Sequence, residues 1–192
     1  MCRFSDANRR KLGNAVAYIA KNAKYPYKTE VLKLLFLMEE RMVVRYHVPF
    51  LAIPFCVWRM GPVSVDVFEE LSDGPSSLEE YIALQFNGQG IKVTPKCEFD
   101  EDEFSNAELE MMRQVIEECG NMTSEELIAL THRDGGLWKI TAEENNLLDD
   151  FENHRANSSS VVIDMSRGLC PDDKRFYDET LEIRRAANIL RK

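Results

Sequence analysis

Residues 29–46 read Thr29-Glu30-Val31-Leu32-Lys33-Leu34-Leu35-Phe36-Leu37-Met38-Glu39-Glu40-Arg41-Met42-Val43-Val44-Arg45-Tyr46. Val31, Leu34, Leu35, Met38, Met42 and Tyr46 recur at helical spacing, so one stripe of this segment faces a core. Leu32, Phe36, Leu37 and Val43 make a second apolar face. A helix that is apolar on more than one side is surrounded by other elements. The segment is therefore predicted to be the central helix, with Thr29 as its N-cap. Lys33 stands out on it as a cation among apolar residues; it either extends its head to solvent or pairs with an acidic group.

Upstream, Leu12, Ala15, Val16, Ile19 and Ala20 form one stripe of a helix over 6–21, with Asp6 as its cap, and Pro26 separates the two helices. Downstream, Pro49 and Pro54 break helicity, Phe55-Cys56-Val57-Trp58 is rich in strand formers, and Gly61-Pro62 forces a reversal before a short helix over 63–71. Residues 82–86 and 91–94 flank Asn87-Gly88-Gln89-Gly90, a hairpin signal, and a small antiparallel sheet of two or three strands is expected. Ser105-x-x-Glu108, Thr123-x-x-Glu126 and Thr141-x-x-Glu144 read as capping boxes opening three further helices. Residues 157–160 read as a loop and 161–163 as an extended docking segment. A last helix from Asp172 carries Phe176, Thr180, Ile183, Ala187 and Leu190 as a narrow seam for the domain or for a partner. The fold class is thus mainly α: a single helical domain around a central apolar helix, with a small antiparallel β-sheet or hairpin and a C-terminal helix. Residues 1–156 are assigned to that domain, and 157–192 to a loop and C-terminal helical extension packing on it.

An apolar fraction of 44% supports an ordinary globular core. The longest apolar run, 48–57, carries two prolines and falls far short of the ~20 residues of a membrane span. The first residues lack the apolar stretch of a secretory signal, and a cytoplasmic protein without membrane partners is expected. Cys2, Cys56, Cys97, Cys119 and Cys170 are odd in number and widely spaced, a poor disulfide framework and a poor zinc site. The net charge of −9 opposes broad affinity for nucleic acid, despite basic residues near both ends and an acidic block at 98–103.

His132, with Thr131 before it and Asp134 two positions on, is the most suggestive titratable residue; His47 and His154 are isolated. A catalytic histidine needs an orienting acid and a nucleophile, and G-x-S-x-G, H-E-x-x-H and Cys-His signatures are missing. His132 is read as a helix-terminating residue, and no catalysis, cofactor or metal is expected. Trp58 and Trp138 lie near turns, where each ring is expected to anchor the core with its indole N–H on a backbone carbonyl. Gly61 and Pro62 are structural, fixing the reversal that frees the next helix.

Three patterns occur in order: Lys33-Leu34-Leu35-Phe36-Leu37; Trp58-Arg59-Met60-Gly61-Pro62-Val63; and 120–138, with Ser124-x-x-Leu127, Leu130-Thr131-His132 and Trp138. Over 6–140 the trio resembles the Panacea domain, the SocA-like antitoxin family of bacteria and their phages. Phe36 and Met60 stand where the family often has Tyr, Glu30 where it often has Lys, and Gly136-Leu137 replaces Ser-Pro before Trp138. The resemblance implies an antitoxin that binds a cognate toxin, by occlusion or by delivery to a protease such as ClpXP. Its contact residues are sought among Lys33, Trp58, Arg59, His132 and Trp138. The alternative is a nucleic-acid-binding transcriptional regulator, with 123–139 as a helix-turn-helix; the acidic charge and the lack of a basic recognition helix weigh against it.

Overall fold

A computed structural model describes residues 4–190. Helix α1 (Asp6–Asn22) is capped by Ser5, whose Oγ accepts from Asn8 N at 3.3 Å; Asp6, the expected cap, lies instead in the first turn. Helix α2 (Lys28–Tyr46) is the centre of the molecule, with every residue from 30 to 40 buried. It packs against α1, the helices α4 and α5 and both hairpins described below. Thr29 is not its cap. The N-cap is Tyr27, which gives no side-chain hydrogen bond, because residues 26 and 27 are held on a neighbouring strand: Val93 N donates to Pro26 O, and Tyr27 bridges Lys92. Pinning by the backbone overrode the local capping preference.

The extended segments form two separate two-stranded antiparallel sheets instead of one. Strands β1 (Cys56–Trp58) and β2 (Gly61–Val63) pair Trp58 with Gly61, and α3 (Val65–Glu70) follows at once. Strands β3 (Ile82–Asn87) and β4 (Gly90–Pro95) form the predicted hairpin. The predicted docking segment adds to the open side of β1: Val57 N donates to Val161 O, and Ile163 N donates to Phe55 O.

After a 3-10 turn at Glu101–Glu103, α4 (Asn106–Cys119) and α5 (Ser124–Thr131) begin with complete capping boxes at Ser105/Glu108 and Thr123/Glu126. The third box is not one. Helix α6 (Leu137–Glu144) starts after Gly136, so Thr141 lies inside it and donates to Leu137 O at 2.7 Å. Gly135, at φ 72°, lets the chain turn there, earlier than the capping pattern implied. Helix α7 (Leu148–Glu152) is a single short turn beyond it.

Helix α8 (Pro171–Leu190) opens with Pro171, whose missing N–H costs nothing at that position. Its expected seam is turned outward: Phe176 is 52% and Ile183 70% exposed. The side chains of Ala187 and Leu190 lie outside the described residues. Tyr177 and Leu181 face the domain instead, and Arg184 donates to Phe50 O at 2.7 Å and reaches Glu108 Oε1 at 3.3 Å. Glu108, buried on α4, also holds Lys11 of α1 at 2.5 Å, so the docking face of α8 is the one that supplies a counter-charge to this network. No described helix is long and apolar enough to cross a membrane.

Candidate functional site

The reversal at Gly61-Pro62 places the β1–β2 hairpin over the first half of α2, and Lys33 lies beneath it. The lysine is 1% exposed, and its Nζ donates to Pro62 O at 3.4 Å. An ammonium has three donors, and one long bond leaves it under-satisfied. Burial lowers its pKa to about 8, against a smaller opposing effect of Glu30. Gly61 has φ 105°, and a Cβ there would stand 2.7 Å from Lys33 Cε and 3.0 Å from Thr131 Oγ1. The glycine therefore serves both the backbone conformation and the close seating of the lysine under the hairpin.

Behind the hairpin, the end of α5 and the start of α6 stack two rings. His132 lies on Trp138 with centroids 3.5 Å apart and planes 7° from parallel. The indole N–H of Trp138 donates to Trp58 O at 3.0 Å, tying α6 to β1 as expected. The other indole, of Trp58, meets the ring of Phe68 edge-on at 4.9 Å. Burial lowers the His132 pKa to about 4, and the charges of Lys33 and Lys139 push it the same way, so the ring is neutral at pH 7.

Three buried polar atoms in the described residues have no hydrogen-bond partner: Glu30 Oε2, Ser64 Oγ and His132 Nε2. Glu30 lies on α2 beside Lys33, Ser64 follows the Gly61-Pro62-Val63 strand, and His132 follows Thr131 next to Gly61. Orphaned polar atoms are uncommon in folded interiors; Ser64 and His132 lie beside this hairpin, and Glu30 lies one helical turn before Lys33 and bonds to Ser124.

Two clefts open at the start of α2. One, of about 380 Å³, has Lys33, Trp58, Arg59, Met60 and Phe68 in its walls. The other, of about 470 Å³, is lined by Lys24, Tyr27, Glu30, Lys92 and Ser124 among others. They meet at Lys28 and Thr29, which line both. In the second, Ser124 Oγ donates to Glu30 Oε1 at 2.6 Å.

The structure thus divides the five candidate contact residues. Lys33, Trp58 and Arg59 share one cleft, and Arg59 is held there by Nε donating to Asn157 Oδ1 at 2.7 Å. Trp138 is 3% exposed and anchors the core; it presents no face to a partner. His132 is half-buried against it. Ser64 went unnoticed in the sequence, and Glu30 stood out there only as a departure from the family pattern, although a Glu three positions before a lone helix lysine shares its face. No group of three or more His, Cys, Asp or Glu in the described residues is arranged to hold a metal ion.

The central helix, the Gly-Pro hairpin and the α5–α6 turn are thus the parts in which the three sequence patterns meet. The family model described as antitoxin SocA-like, Panacea domain, matches residues 31–139. This is more than half of the chain, and the chain belongs to that family. Comparison with curated proteins and with solved structures gives no match.

Proposed function

We propose that this chain is an antitoxin that neutralises a cognate toxin protein by binding it directly in the cytoplasm, without chemistry of its own. The observation that carries this reading is the family match over residues 31–139, which contains the central helix from Val31 onward and the hairpin above it. The form of the site supports it. The cleft beside the hairpin offers an indole, a guanidinium and the half-exposed Met60, residue types favoured where proteins grip one another.

The test is co-expression with the protein encoded next to it. Relief of growth arrest, with the two chains recovered as a complex, is the expected result. Failure both to protect and to associate overturns the reading. The lifetime of the neighbour during rescue separates the two routes: unchanged for occlusion, shortened for delivery to a protease such as ClpXP.

A further inference from the structure

Most of the described lysines and arginines hold a carboxylate, as Arg41 does with Glu118 at 2.5 Å and Arg133 with Glu40 at 2.8 Å. Among the described residues the exceptions are Lys24, Lys28, Lys33, Arg59, Lys92 and Lys96. All of these except Lys96 line the two clefts at the start of α2. The sole carboxylate on either lining is Glu30; Asp73 and Glu126 act on Lys28 and Lys24 without forming an ion pair. In a chain of net charge −9, unpaired cations gathered in one place mark a surface whose counter-charge comes from outside.

Two further features narrow the chemistry of that ligand. The positive end of α2 faces the same place, and its N-cap Tyr27 supplies no side-chain acceptor. Glu30, 6% exposed, has one oxygen on Ser124 and the other without a partner, so the site also calls for a hydrogen-bond donor. The neighbouring cleft adds the apolar surfaces of Trp58, Met60 and Phe68. A nucleic-acid strand brings an anion with every nucleotide, a density that the acidic chain repels. A peptide brings carboxylates, backbone N–H groups and apolar side chains together.

We propose that the partner protein docks an acidic segment with apolar flanks across the first turn of α2. Its carboxylates meet Lys24 and Lys92 in one cleft and Lys28 and Arg59 in the other, with a backbone N–H on Glu30. This rests on the reading of the chain as a protein-binding antitoxin and adds the chemistry of what it binds.

The experiment selects from a random-peptide display library on the immobilised full chain, with a labelled oligothymidylate as the phosphate probe. Enriched peptides are expected to carry an excess of Asp and Glu beside apolar residues. The double variant Lys24→Glu/Lys92→Glu should lose about tenfold in affinity for them, while Lys96→Glu, a charge reversal away from both clefts, retains it. Thermal melts in parallel confirm that each variant is folded. Enriched peptides without acidic excess overturn the proposal, as does equal loss in the double variant and in Lys96→Glu. Oligothymidylate binding that exceeds the peptides and is abolished by the double variant overturns it in favour of phosphate. The same variants in the co-expression assay separate the two claims. Wild type that protects together with a double variant that protects equally well defeats the docking surface alone, whereas wild type that fails to protect defeats the antitoxin reading.

Discussion

His132 at the C-cap of α5 and Trp138 in the first turn of α6, six positions apart, stack ring on ring at 3.5 Å with planes 7° from parallel. The stack closes the turn between α5 and α6 and explains why the histidine stays neutral: protonation would place a charge in a part-buried site near Lys33 and Lys139.

This fixes a pH dependence. The folded-state pKa of His132, about 4, lies below its ordinary value of 6.5, so the unfolded chain binds the proton more readily between those values. The contribution is fully present above pH 6.5, declines as pH falls towards 4, and is level below that. Allowing for the partial exposure of the ring, the loss attributable to His132 is about 1–2 kcal/mol. Urea denaturation of wild type and His132→Gln at pH 7 and pH 4.5 should show the smaller loss on acidification in the variant. Equal losses would show that the histidine is not held neutral.

Lys33 is predicted to cost stability where it stands. A buried ammonium with one long hydrogen bond is replaced favourably by an apolar side chain of similar length. Lys33→Met should raise the unfolding free energy at pH 7 by about 1–3 kcal/mol. In wild type the lysine, with its folded pKa of about 8 below the ordinary 10.5, adds stability as pH rises between those values. A Lys33→Met variant less stable than wild type at pH 7 would contradict this account.

Gly61→Ala should destabilise by about 1–3 kcal/mol, because the residue sits at φ 105° and the new methyl meets Lys33 and Thr131. Pairing it with Lys33→Ala removes the Cε that the new methyl meets at 2.7 Å. The double variant should therefore recover part of the loss, and strict additivity of the two changes would argue against direct contact.

On α8 the outward seam and the inward face predict opposite results. Ile183→Glu, at a position 70% exposed, should change stability by less than about 0.5 kcal/mol. Tyr177→Ala, at a position 6% exposed, should cost about 3 kcal/mol or more. Thermal or denaturant unfolding of both variants decides which face docks.

Periodicity and punctuation in the sequence determined that α2 is an apolar helix at the centre, that α4 and α5 start at Ser105 and Thr123, and that residues 82–95 form a hairpin. These features depend on groups a few positions apart, so the local pattern suffices. Lys33, Trp58 and Arg59 were legible as candidates because a cation on an apolar helix and an indole beside a forced turn stand out without knowledge of their neighbours. Tertiary structure alone decided the rest. The strand beside residues 26 and 27 moved the start of α2 to Lys28, Gly136 started α6 ahead of Thr141, and buried Glu108 selected the Arg184 face of α8 over the Phe176–Ile183 seam. Likewise, the missing partners of Glu30 and Ser64 could be counted only in the folded chain, and five cations scattered from position 24 to 92 came together only when it was folded. A hydrogen bond left unmade or a charge left unpaired is a property of neighbours in space, which spacing along the chain does not encode.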